Sequence, residues 1–360
     1  MPEQVVSKRR DVEELDRALH PWLAQRFPGR QLEDLDVAAP SGHGFSNDTI
    51  MVEATVDATN VPLVVQAAPR GPGLFPEYPI DRMAAIQRDL RDHSDVPVAN
   101  VRWFEADTSV LGAPFYVMDR IDGLVPDESP LSYHSTGWVF DATVEQRRRM
   151  WLSNLEAMGR LHRLEVATHF PYLTTTRWGM PLDADPAAQR VRQWREFTVW
   201  ASETGPPPRQ LMDAWDILAK TLPPRPESLS ICWGDSKLGN IMFRDFEVVA
   251  LLDWELCGVS AAEEDLLGQL AVDAVLAGVD SSVSRIDGFL SHEETLAAYP
   301  EILRRGLVGT EWWYLFSLAK MAAQIHRLLV QSKQQGKIPG GVDIAAVNIA
   351  LPHLREALGA

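Results

Sequence analysis

Asp235, Asn240 five residues later, and Asp253 at the close of an apolar run are the residues whose types and spacing best suit chemistry. The first two stand in Ile231-Cys232-Trp233-Gly234-Asp235-Ser236-Lys237-Leu238-Gly239-Asn240-Ile241-Met242-Phe243. The third lies in Val248 to Glu255, which reads Val-Val-Ala-Leu-Leu-Asp-Trp-Glu. An Asp that orients a hydroxyl, with an Asn and a second Asp to hold magnesium on nucleotide phosphates, is what direct phosphoryl transfer needs. Lys237 would add positive charge where the transferred phosphate sits. Taken alone the pattern is unspecific. Asp-x-x-x-x-Asn arises by chance in many chains, and an Asp at a strand end is often only a turn former.

Local structure must place these groups. Leu229 to Cys232 is a short apolar run that can enter a core. Gly234 and Gly239 permit backbone turns that other residues resist. Ile241 to Phe243 and Val248 to Leu252 read as two strands, with a turn over Arg244 to Glu247. That hairpin would return Asp253 to the side of Asn240. Oxygen ligands from a loop and a strand end, completed by phosphates and water, suit magnesium.

The segment resembles the signature of the aminoglycoside phosphotransferase family, His-Gly-Asp-x-x-x-x-Asn followed by strands ending in Asp-Trp-Glu. The likeness extends further. Pro114 to Gly123 (Pro-Phe-Tyr-Val-Met-Asp-Arg-Ile-Asp-Gly) is similar to the family's hinge strand. Glu145 to Trp151, opening a helix that runs to His162, and His93 to Val98 are similar as well. The resemblance covers roughly residues 30 to 330. It implies an α+β, bilobal, protein-kinase-like fold. Residues 1–120 would form a strand-rich N-lobe and residues 121–360 a mainly helical C-lobe. ATP or GTP with Mg2+ would lie in the cleft, and the γ-phosphate would pass to a hydroxyl of a small molecule. Asp235 and Lys237 would be catalytic, and Asn240 and Asp253 would ligate the metal. The loop Ser41 to Asn47 would cover the phosphates with Gly42, Gly44 and Ser46, since glycines let backbone N–H groups approach closely. Asp119 and Ile121 would offer main-chain groups to the adenine.

Three positions depart from the family. Gln66 stands where relatives place a Lys or Arg on the phosphates, and Met83 where they place its partner Glu. Losing both members is physically consistent, because a buried charge left alone is costly. Gln66 can still donate a hydrogen bond but cannot neutralise phosphate; Arg70, Arg82 and Lys237 are candidates to compensate. Trp233 replaces the signature His. The two charge losses keep a rival open, a kinase-fold protein that binds a small molecule or nucleotide without turning it over.

Composition bounds the rest. A chain of 360 residues is too long for one small core, and 46% apolar with 23% charged residues is ordinary for a globular protein. A net charge of −16 disfavours nucleic acid as partner. It is compatible with a cationic substrate and also with simple solubility. No run of 18 apolar residues predicts a membrane span. Met1 to Asp11 is polar and unlike a secretory signal, and Cys232 and Cys257 are the only cysteines. Both points lead to an expected cytoplasmic location, with oligomeric state open.

Helices are expected at Asp11–Arg26, Ile80–His93, Val144–Leu164, Ala187–Ser202, Leu211–Leu222, Glu263–Leu276 and Glu311–Gln331. His162 reads as a hydrogen-bonded core histidine. The acceptor pocket is expected from the fourth and last of these helices. Each has one acid over those spans, Glu196 and Glu311. A polycationic antibiotic needs several carboxylates, so a less charged hydroxyl compound fits better. Trp312 and Trp313 read as core, with pocket lining as the alternative.

Overall fold

Period-two burial organises the first part of the chain. The structure, a computed structural model, describes residues 11–38, 47–71, 73–128, 132–175, 177–203, 205–278 and 283–359. Gly42, Gly44 and Ser46 therefore lie outside the described residues. Strands β1 (Leu32–Ala38), β2 (Asp48–Val56), β3 (Thr59–Ala67), β4 (Val101–Glu105) and β5 (Phe115–Asp119) form an antiparallel sheet in the order β1-β2-β3-β5-β4. Ile50, Val52, Ala54 and Val56 are the buried residues of β2, every second position, so one face of the sheet is apolar. Asp57 and Ala58 both take positive φ between β2 and β3, the geometry of a tight two-residue hairpin turn.

Each sheet face has its own helix. Helix α1 (Val12–Ala24) is capped by the Asp11 carboxylate, which accepts from the Glu13 and Glu14 N–H groups. Its Leu15, Leu19, Trp22 and Leu23 pack with Val52, Val65 and Val117. Helix α2 (Ile80–His93) packs Ile80, Met83 and Ala84 with Val64, Tyr116 and Met118. These elements belong to a compact unit of residues 1–92 and 98–122; residues 93–97 and 123–360 form a second.

The second unit is mainly helical. It holds α3 (Gly137–Asp141), α4 (Val144–His162), α5 (Val166–His169), α6 (Pro186–Ser202), α7 (Arg209–Lys220), α8 (Ala262–Ala277), α9 (His292–Leu303), α10 (Thr310–Gln334) and α11 (Ala350–Ala357). Capping boxes start α4 (Thr143 with Gln146) and α9 (Ser291 with Glu294). Helix α6 stops at Ser202 because Glu203 turns to φ +43, ahead of the prolines. The 25-residue α10 packs on α6, α7, α8 and α11. Trp312 and Trp313 on α10 are buried; Trp312 donates to the Leu218 carbonyl at 3.1 Å and stacks on Phe316. They are core in this structure.

Two small antiparallel pairs complete the unit. Strand β6 (Ser230–Cys232) pairs with β9 (Gly258–Ser260), and β7 (Ile241–Arg244) with β8 (Glu247–Leu251). Asp245 and Phe246 take φ +52 and +63 and make the β7–β8 turn. Among the described residues no helix is long and apolar enough to cross a membrane.

Candidate functional site

The loop between β6 and β7 is fixed at its start by one buried carboxylate. Asp265 of α8 accepts the Trp233 N–H at 2.6 Å and the Gly234 N–H at 2.8 Å. The Ser236 hydroxyl donates to the Asp265 carbonyl at 2.6 Å. His162 Nε2 lies 3.0 Å from the same carboxylate, and its Nδ1 lies 2.7 Å from the Tyr299 hydroxyl. His162 is thus the packed, hydrogen-bonded histidine its sequence context predicts. His162, Cys232 and Asp265 lie close enough to hold an ion. Asp265 and His162 are already engaged by the loop and Tyr299, so the cluster reads as structural. Gly234 sits at φ +90, and a Cβ there would stand 2.4 Å from the Leu256 carbonyl oxygen, so only glycine fits. Trp233, in the place of the family's His, sends its indole N–H to the Leu252 carbonyl at 2.7 Å.

The loop's end is set by the hairpin. A single 3₁₀ turn over Leu238–Asn240 delivers Asn240, and the Leu252 N–H donates to the Asn240 carbonyl at 2.8 Å. That bond places Asp253, the next residue, against the loop, in a left-handed conformation at φ +61. Asn240 Nδ2 donates to Asp235 Oδ2 at 2.7 Å and to the Asp235 carbonyl at 3.0 Å. The Lys237 ammonium lies 3.9 Å from Asp235 Oδ2 and 3.2 Å from Glu128 Oε2.

Charge is unevenly satisfied here. Burial and the neighbouring Asp235 push the Asp253 carboxyl up to about 7, against the pull of Lys237. Lys237 moves the other way. Burial would lower it, but Glu128, Asp235 and Asp253 outweigh that and hold it protonated above the usual lysine range.

Of the site residues expected from sequence, the structure brings Asp235, Lys237, Asn240 and Asp253 together. Gln66, Asp119 and Ile121 lie in the other unit. Gln66 donates to Thr49 Oγ1 at 3.0 Å, and its Oε1 is buried without a partner among the described residues. The Asp119 N–H is taken by the Asn100 carbonyl at 2.9 Å, so that donor is not available to an adenine. The Asp119 side chain pairs with Arg102 and accepts from Asn100. Ile121 packs against the cluster on α2. Met83 is enclosed in that apolar cluster, and Arg70 is engaged by Glu14 at 2.9 Å.

Two residues escaped the sequence reading. Glu128 accepts the Gly239 N–H at 2.8 Å as well as pairing with Lys237. It follows the hinge strand in a Pro- and Ser-rich stretch with no pattern to mark it. Asp265 sits in a run of three acids at the start of α8, which resembles a solvated first turn. The missed signal is that, Gln269 and Asp273 aside, the rest of α8 is apolar on every side. A helix of that kind is buried, so its acids must be buried with partners.

Residues 37–301 match the model of a phosphotransferase enzyme family. Among solved structures, a Ralstonia eutropha protein provisionally named an aminoglycoside phosphotransferase superposes with a TM-score of 0.70 at 20% identity, over 96% of this chain and 98% of that one. An ethanolamine kinase of Plasmodium vivax superposes at 0.59 and 10% identity, over 93% and 85%. The fold is α+β and protein-kinase-like. A curated relative, the probable acyl-CoA dehydrogenase IBR3 of Arabidopsis thaliana, is 24% identical over 300 residues, 78% of this chain and 35% of that protein. The chain thus spans about a third of that relative's length.

Proposed function

The chain belongs to the phosphotransferase enzyme family, and on that premise we propose that it moves the γ-phosphate of ATP or GTP to a hydroxyl of a small molecule. The observation that carries the reading is the meeting of Asp235, Asn240 and Asp253 around a deficit of positive charge, marked by the raised Asp253 carboxyl. The residues fit a magnesium ion. Asn240 Nδ2 is committed to Asp235, which leaves Oδ1 as its ligand atom, and with the Asp253 carboxylate the donors are all hard oxygens. Magnesium bound there with the nucleotide would neutralise phosphate charge.

The chain's own groups then have distinct tasks. Asp235 orients the acceptor hydroxyl and receives its proton. Lys237, kept charged by the surrounding acids, faces the negative charge that develops on the transferred group. Glu128 holds Lys237 and the Gly239 N–H in one arrangement, so little reorganisation is needed during transfer. Gly42, Gly44 and Ser46 are proposed to cover the phosphates and Gln66 to donate to them. Ile121 and the Asp119 carbonyl are proposed to meet the base.

The acceptor is proposed to be a weakly charged hydroxyl compound, since Glu196 and Glu311 are the sole acids over residues 187–202 and 311–331. The acyl-CoA dehydrogenase name of the relative puts hydroxyacyl compounds on the acceptor screen beside aminoglycosides and amino alcohols. A second reading, ligand binding without turnover, draws on Gln66 and Met83, which leave β3 and α2 without the charge pair.

Calorimetric titration of ATP and GTP with magnesium separates the two. Metal-dependent binding that is lost in Asp253→Ala, with turnover lost but binding kept in Asp235→Ala, supports the phosphotransferase. Undiminished turnover in Asp235→Ala refutes it. Nucleotide binding with no transfer to any acceptor favours the binding protein.

A further inference from the structure

Two buried charges of opposite sign hold one glycine of the loop. The Gly234 N–H donates to Asp265, and the Gly234 carbonyl accepts the Lys320 ammonium. Lys320 comes from α10, beyond the residues that match the family model. Its side chain is 9% exposed, with the ammonium 3.3 Å from Glu264 Oε1 and 5.2 Å from the centre of the Trp194 ring. Glu264 is bonded on its other oxygen by Arg190 Nε at 2.6 Å, and Arg190 also donates to the Trp178 carbonyl. A chain of Arg190 from α6, Glu264 from α8 and Lys320 from α10 therefore ends on the peptide that carries Asp235.

Packing alone does not call for a lysine here. A core position of this shape is served at least as well by an apolar side chain, because desolvating an ammonium is costly. What the ammonium adds is a strong donor aimed at one carbonyl. Gly234, with no Cβ, is like Gly239 freer to rotate than the rest of the loop, and its φ of +90 lies where L side chains rarely go. Gripping both its N–H and its C=O removes that freedom immediately before Asp235.

We propose that Lys320 is a positioning residue, which fixes the Gly234 carbonyl and through that peptide sets the direction in which Asp235 presents its carboxylate to the acceptor hydroxyl. The kinetic consequence rests on the phosphotransferase reading; the ordering of the loop does not.

The test uses the full chain, wild type, Lys320→Met and Lys320→Gln. Either change leaves Glu264 paired with Arg190, and Gln, which can still donate a neutral hydrogen bond towards the Gly234 carbonyl, guards against a simple failure to fold. Four quantities are read: kcat and KM with the acceptor found by screening, magnesium–nucleotide affinity by calorimetry, and amide hydrogen exchange over residues 230–240. The expected result is a fall in kcat of about tenfold to a hundredfold, as for a misplaced reacting group. Nucleotide affinity should stay within about twofold, the mark of a loss felt in the transition state. Exchange at residues 233–237 should rise by about tenfold or more. Lys320→Gln should regain part of both the thermal stability and the kcat lost in Lys320→Met. Wild-type kcat in Lys320→Met, or unchanged loop exchange, overturns the proposal. So does a parallel loss of kcat and nucleotide affinity, which would make Lys320 a general core residue. Should the wild type phosphorylate no acceptor, the phosphotransferase reading fails, while the exchange measurement still decides whether Lys320 holds the loop.

Discussion

Gly239→Ala should evict a carboxylate from the site without straining the backbone. A Cβ at residue 239 would lie 2.3 Å from Glu128 Cδ and 2.5 and 2.7 Å from its two oxygens. The obstacle is the end of a flexible side chain, so Glu128 swings away and the loop keeps its path. What is lost is the bond from the Gly239 N–H, 2.8 Å, and the pair with Lys237, 3.2 Å. A hydrogen bond to a charged group contributes about 1.5–3 kcal/mol when shielded. The ion pair, with Lys237 30% and Glu128 17% exposed, is discounted to about 0.5–1 kcal/mol. The sum is about 2–4 kcal/mol, a Tm shift of about 4–8 °C at about 2 °C per kcal/mol for a body the size of the helical unit. Differential scanning calorimetry of Gly239→Ala, Glu128→Ala and the double variant measures it. Glu128→Ala loses the same contacts, so adding Gly239→Ala to it should cost no more than about 0.5 kcal/mol, a strong departure from additivity. Equal costs of Gly239→Ala in both backgrounds would refute the steric origin. Turnover should fall in all three variants, because Lys237 is no longer held.

Other outcomes follow from burial. Met83→Glu puts a lone carboxylate into an apolar cluster and should cost about 3 kcal/mol or more; pairing it with Gln66→Lys, on the same sheet face, should recover part of the lost Tm. Burial pushes both the Cys232 and the Cys257 thiols up, so a disulfide reagent at pH 8 should label neither in the native protein and both after unfolding. Burial first, and then Arg327, lowers His326 below the ordinary 6.5 of histidine. The unfolded chain takes up that proton first, so the native state loses stability as pH falls below about 6.5. The Tm advantage of wild type over His326→Gln should shrink between pH 7.5 and 5.5; a constant difference would refute the assignment.

Most of the site's linear order was legible because the loop and hairpin are local. Asp235, Asn240 and Asp253 are joined by one glycine, one tight turn and a backbone bond between Leu252 and Asn240, all within nineteen residues of sequence. Helices such as α2, α4 and α6 were legible from apolar periodicity to within a residue or two at their ends, where caps and Glu203 decide. Residues that act across long separations were not. Glu128 meets Lys237 over 109 positions, and Lys320 reaches Gly234 over 86. No periodicity encodes such a meeting. Nor could the sequence show that the Asp119 N–H is spent on the Asn100 carbonyl, so that, of that residue, only the carbonyl is proposed for the base.

The first turn of α8 explains why so much of this site depends on residues distant in sequence. Its three consecutive acids each serve a different segment. Glu263 takes Arg305 and the Val308 N–H, Glu264 takes Arg190 and Lys320, and Asp265 takes the loop backbone and His162. Carboxylates at a helix N-terminus are favoured by the helix dipole, which offsets part of the cost of burying them. Each acid also gains full partners, so none is left as an uncompensated charge. The result is one rigid turn from which the loop, α6, α10 and the segment after α9 are all suspended. A change at any of those partners reaches Asp235 through no more than two hydrogen bonds, so the direction of one carboxylate is tied to the packing of the helical unit.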